Sequence, residues 1–171
     1  MAATRLCEQS GFSLLEVLVT LVILSLGILG AAGLQRAALQ NGHSALLRAQ
    51  AAQYAYDMAD RMRANRAVAV PSTSASTSTG TSTSISPYAQ PLTPATALPG
   101  SNSQADRDRR VWLRQLQSLP LAAAAIDVQA NGDATITIRW DESALGATGV
   151  DRSCPAGSRD GQVCFVLNTR L

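Results

Sequence analysis

FSLLEVLVTLVILSLGILGAAGL, residues 12–34, contains no Lys, Arg, Asp, His or Pro and a single acid, Glu16. At 1.5 Å per residue, a helix of this length crosses a hydrocarbon layer of about 30 Å, so residues 12–34 are expected to form a transmembrane helix. A secretory signal peptide is ordered differently: a basic start, an apolar run of roughly 7 to 15 residues, then a small-residue cleavage site. Here the run is longer than that, and Gly11 comes before it. Cys7 also precedes the run, whereas a lipoprotein places its cysteine after it.

Glu16 is the anomaly in this segment. An acid costs about 2.5 to 3.5 kcal/mol at the centre of a bilayer and less near its edge, so an intramembrane carboxylate calls for a partner. One reading is that Glu16, five residues past Gly11, simply reaches the headgroups. The other starts from the lack of a nearby basic side chain. Cleavage after Gly11 would leave a free amine on Phe12, four positions from the carboxylate.

The run Gly11-Phe12-Ser13-Leu14-Leu15-Glu16 resembles the type IV prepilin cleavage site, where it opens a spanning helix within the first dozen residues. The resemblance implies that a prepilin peptidase cuts between Gly11 and Phe12 and methylates the new Phe12 amine. It further implies that Glu16, fifth in the cut chain, serves subunit assembly by meeting the amine of a neighbouring subunit. The leader, residues 1–11, carries one Arg offset by Glu8, where such leaders are usually more basic. Cys7 would leave with it.

Beyond residue 34 the helical pattern continues. Residues 35–70 are free of Pro and rich in Ala, and Leu47, Ala51, Tyr54, Met58 and Met62 recur at spacings of four, three, four and four, tracing one helical face. Asp57 and Arg61 are placed for an i to i+4 ion pair. This second part is expected to lie on a sheet. Gly27, Gly30 and Gly33 suit either close helix packing or a bend.

The composition then changes. Twelve of the fifteen residues from Ser72 to Ser86 are Ser or Thr, and Pro87, Pro91, Pro94 and Pro99 follow. Such a stretch buries too little apolar surface to offset its ordering entropy, so residues 71–104 are expected to be a flexible surface loop, either O-glycosylated or bare.

Residues 105–171 regain pattern. Ser103 and Asp106 can cap a helix whose face is Trp112, Leu113, Leu116 and Leu119 and which Pro120 ends. Ile126-Asp127-Val128, a turn at Asn131-Gly132-Asp133, and the alternation Ile136, Ile138, Trp140 predict a β-hairpin. Val163 to Asn168 predicts a further strand. Cys154 and Cys164 flank a Gly/Pro/Ser-containing loop and, with a spanning helix ahead of them, are expected to form a disulfide in an oxidising compartment, the competing reading being two reduced thiols in a cytosolic domain.

The expected fold class is α+β and pilin-like: a long N-terminal helix, membrane-spanning in its lower half, packed on a small antiparallel sheet. VWLRQLQSLP and ATITIRWDE, with the late cysteine pair, resemble the minor pilins of type IV pili. The resemblance implies a non-catalytic subunit with no cofactor, held in the inner membrane with its C-terminal domain in the periplasm before assembly, and in the extracellular pilus afterwards. Its implied partners are prepilin peptidase, other minor pilins, the major pilin, a pilus tip adhesin and inner-membrane lipid. The roles implied are priming of assembly, twitching motility and adhesion. A minor pseudopilin of type II secretion and a plain single-span anchored domain are the alternatives.

Other functions find little support in the residues. All 14 basic residues are Arg and the net charge is +2, without a basic tract for nucleic acid. One His and three Cys do not furnish a four-ligand zinc site, and the carboxylates lack the spacing of a calcium loop. His43 reads as a solvated residue, and neither G-x-S-x-G nor a Gly-rich phosphate loop occurs.

Overall fold

The computed structural model describes residues 13–70, 86–149 and 151–171. The leader, Cys7, the Gly11–Phe12 junction and most of the Ser/Thr stretch lie outside the described residues. Two compact units divide at residues 42 and 43. Helix α1, Leu14–Ala64, contributes to both.

Within the first unit α1 is uninterrupted, and its large apolar side chains from Leu14 to Leu39 are exposed. It is long and apolar enough to cross a membrane. Gly27, Gly30 and Gly33 lie inside the helix and do not break it.

The second unit, His43–Leu171, holds the core. The remainder of α1 is followed by a short helix α2 (Arg66–Ala69), strand β1 (Gln90–Pro94), helix α3 (Gln104–Leu116), strands β2 (Ala123–Val128) and β3 (Asp133–Asp141), a 3-10 turn at Ser143–Leu145 and strand β4 (Gln162–Arg170). The four strands form one antiparallel sheet in the order β1-β2-β3-β4. This is the α+β, pilin-like architecture expected from the sequence.

Strand register explains the alternation of residue types. Ala124 faces Ile138, Ile126 faces Ile136, and on the other side of β3 Leu167, Phe165 and Val163 face Ile136, Ile138 and Trp140. These residues share one face of the pleat, and together they join the core cluster that contains the second part of α1. On α1 the buried positions are Leu47, Ala51, Ala55, Met58, Ala59 and Met62. Tyr54, expected within that face, sits at its margin instead. Its hydroxyl lies 3.0 Å from that of Ser118, and its carbonyl accepts a hydrogen bond of 2.8 Å from Trp112 Nε1. Helix α3 thereby docks on α1 with its indole nitrogen satisfied in an otherwise apolar setting.

Turn chemistry sets the hairpin. Gly132 has φ +87°, its N–H donates to Gln129 O, and Asp133 N donates to Asn131 Oδ1. A glycine takes this left-handed conformation without a Cβ penalty. At Gly161, also at positive φ, an added Cβ would fall 2.8 Å from Ser143 Cβ, so that crossing requires glycine for space as well.

The stretch expected to be a loop differs in its described part. Residues 90–94 form edge strand β1, and Tyr88 is fully buried. Pro91 and Pro94 are compatible with an edge strand because part of its N–H groups needs no partner. Tyr88 explains why the chain is held there. Its hydroxyl donates to Asp108 Oδ2 at 2.6 Å and accepts from Asn65 Nδ2 at 3.0 Å, which ties β1 to α3 and to the end of α1. Burial, then the bond to Asp108, pushes the phenol up to about 12. Ser86 Oγ donates to the carbonyl of Ala69, so the two ends of the intervening stretch meet.

Glu142 is a buried carboxylate that the sequence pattern did not single out. It accepts from Trp140 Nε1 and from Ser44 Oγ, each at 2.7 Å, linking the end of β3 to α1. A disulfide joins Cys154 to Cys164, and Ser153 Oγ donates to the Cys164 carbonyl at 3.0 Å, so the loop after the 3-10 turn is tied to the start of β4.

The N-terminus of α3 supplies a test by pH. Ser103 is the N-cap and accepts from Asp106 N at 3.1 Å, while the Asp106 carboxylate accepts from Ser101, Ser103 and Arg109. The Ser101 and Ser103 hydroxyls, helped by Arg109, hold the Asp106 carboxyl at about 2, against the opposing effect of burial. A depressed folded-state value stabilises the fold above the unfolded value of 3.8 and ceases to do so as pH falls towards 2. Wild type should therefore exceed Asp106→Asn in urea midpoint by a constant margin above about pH 5, and the margin should shrink between pH 4 and 2. A pH-independent margin would refute this.

Candidate functional site

The residues that carry the prepilin resemblance fall at the start of α1. Gly11 and Phe12 lie outside the described residues, so the geometry begins at Ser13, whose carbonyl accepts from Glu16 N at 3.0 Å and Val17 N at 3.3 Å. Glu16 thus sits in the first helical turn, where a negative side chain complements the positive end of the helix dipole. It is exposed, and among the described residues it makes no ion pair. The ion pairs on α1 are further along: Arg61 with Asp57 at 3.0 Å, as the spacing predicts, and Arg63 with Asp60 at 2.8 Å.

At about 100° per residue, Thr20, Ile23, Gly27 and Gly30 follow Glu16 along one side of the helix. Thr20 Oγ1 turns back to the carbonyl of Val17 at 2.8 Å, which satisfies a polar group without a partner from outside. An added Cβ at Gly27, Gly30 or Gly33 would meet nothing within 4 Å. Nothing among the described residues requires these glycines, while each one costs a helix about 0.8–1.0 kcal/mol relative to Ala. The arrangement offers an apolar surface with shallow places along it and one acid near its beginning. Chemically, such a surface can exchange lipid for another helix and accept one positive charge.

Cys154 and Cys164, the other pair singled out in the sequence, lie in the second unit and contribute to the loop beside β4. His43 is exposed on α1. Among the described residues, no three His, Cys, Asp or Glu side chains cluster so as to hold a metal ion.

Residues 7–32 match the family described as the prokaryotic N-terminal methylation motif. No curated protein and no solved structure matches the chain. The motif, together with the long apolar helix and the four-stranded antiparallel sheet, supports a type IV pilin-like protein. It implies processing by a prepilin peptidase and assembly with other pilins, and it is consistent with anchoring in the inner membrane before assembly. A structural rather than enzymatic role accords with it.

Because a Cβ added at Gly27 would meet nothing within 4 Å among the described residues, Gly27→Leu should leave the free energy of urea unfolding of the second unit unchanged within about 0.5 kcal/mol. Fluorescence of Trp112 and Trp140, both in that unit, reads this directly. A larger shift would show that Gly27 serves the fold of the single chain.

Proposed function

We propose that the chain is a non-catalytic minor pilin of type IV pili, of the kind called PilV or type IV pilus modification protein, that helps prime pilus assembly and is incorporated into the filament. Twitching motility and adhesion follow from that role. The observation that carries the reading is Glu16: an acid at the start of an exposed apolar helix, directly after a prepilin-type junction and without an ion-pair partner among the described residues.

In this reading prepilin peptidase cuts between Gly11 and Phe12 and methylates Phe12. The new cation lies close in sequence to Glu16, but the carboxylate pairs with the amine of an adjoining subunit, where the surrounding hydrocarbon strengthens the attraction. A lone subunit leaves the pair incomplete, which biases the helix towards company. The second unit faces the periplasm before assembly, and the Cys154–Cys164 bridge suits that oxidising compartment. VWLRQLQSLP, ATITIRWDE and the late cysteine pair support the minor-pilin assignment over a pseudopilin of type II secretion. Other minor pilins, the major pilin and a tip adhesin are the partners.

Two variants test it. Replacing Gly11 with Leu should leave the chain uncut at 171 residues, which intact-mass measurement of membrane-extracted protein reads, and a mature mass in that variant would refute cleavage at this bond. Glu16→Val should be cut normally yet fall at least tenfold in sheared pili relative to wild type. Equal recovery would remove the pairing, and absence of wild type from sheared pili would overturn the pilus assignment itself.

A further inference from the structure

The turn between α3 and β2 places a leucine where neither backbone preference nor burial accounts for it. Leu121 has φ +47°, the one non-glycine residue at positive φ among the described residues, and its side chain is 83% exposed. L-residues with a Cβ seldom adopt this conformation, and glycine or asparagine is the usual occupant of such a turn. An outlier of this kind with its methyl groups in water directs attention to what lies beside it.

Beside it is a groove of about 510 Å³, within the size range of ligand-binding clefts. Leu119, Leu121, Ala95 and Ala123 make its walls apolar, and among the described residues no carboxylate lines it. Gln117 is already engaged, donating through Nε2 to the carbonyl of Ala95 at 3.1 Å. Arg139 is not. It lies on β3 on the face of the sheet away from the core, and its Nε is shielded from solvent without a hydrogen-bond partner. It forms no ion pair among the described residues. A guanidinium beside an apolar groove with no counter-ion among the described residues is one that an incoming anion would neutralise.

We propose that this groove docks an extended peptide segment of another protein, one that carries a carboxylate next to an aliphatic side chain. The carboxylate takes the fork of Arg139, and the aliphatic group packs between Leu121 and the floor at Ala123. Charge complementarity selects the acid, since Arg139 is the only charged residue lining the groove among the described residues. The mixed walls, with Thr96 and Gln117 among aliphatic groups, suit a peptide better than a hydrocarbon chain.

The test uses the full chain in lipid nanodiscs on an array of heptapeptides in which Asp, Glu, Asn or Gln stands next to Leu, Val or Ala. Wild type should retain acid–aliphatic peptides at least tenfold better than their amide counterparts. Arg139→Gln should abolish that preference. Leu121→Gly should weaken retention at least tenfold while its Tm equals or exceeds that of wild type, because the strained turn is relieved. Equal retention of acid and amide peptides, or no acid-dependent retention at all, overturns the proposal. Arg139-dependent binding of decanoate with no peptide retained would overturn it in favour of a fatty-acid site. Neither leader cleavage nor filaments enter this readout, so it fails or stands separately from the minor-pilin reading.

Discussion

Burial of one face of α1 between Leu47 and Met62 is the interaction on which the second unit depends. Ala51, Ala55 and Ala59 follow one another at four-residue spacing, and their small side chains form a shallow bed along the helix. Large residues close on it from two directions: Trp112, Leu113 and Leu116 from α3, and Ile136, Ile138 and Trp140 from the sheet. The polar atoms this packing would otherwise strand are matched locally. Trp112 reaches the Tyr54 carbonyl, and Trp140 reaches Glu142, which in turn holds Ser44. Thus the same helix that is apolar and uncovered in its first part becomes, thirty residues later in chain order, the spine of an ordinary core.

Much of this arrangement was legible from residue types. The hairpin followed from Asn131-Gly132 between two alternating segments, α3 from its serine cap and its apolar face, and β4 from Val163, Phe165 and Leu167. Each signal is local, arising from turn geometry or a period of 2 or 3.6. β1 was not legible, because QPLTP holds two prolines and lies next to a Ser/Thr tract. Its place is set by pairing with β2 and by the buried Tyr88, both of them contacts made across the chain. Ala55 and Ala59 were also missed, since alanine reads equally well as core, surface or helix filler.

The start of α1 shows the opposite balance. Its meaning came almost wholly from residue order, Gly11 through Glu16 ahead of an apolar run, and the structure adds that Glu16 stands exposed in the first turn. In the proposed minor-pilin reading the counterpart of Glu16 belongs to another molecule, which accords with the lack of an ion pair for it among the described residues. Glu142 makes the contrast: a carboxylate with no sequence signature that is fully accounted for by two neutral donors within its own unit.

The contact between Ser86 and Ala69 has a consequence for how this chain can vary. It joins the residues on either side of the Ser/Thr-rich stretch, so the described core holds two neighbouring anchor points. Between two fixed anchors, each doubling of the length of a connecting chain adds only about 0.6 kcal/mol of closure cost in the polymer limit. A change in the length of sequence between these anchors therefore costs little closure entropy, and the sheet and α3 keep both anchor points.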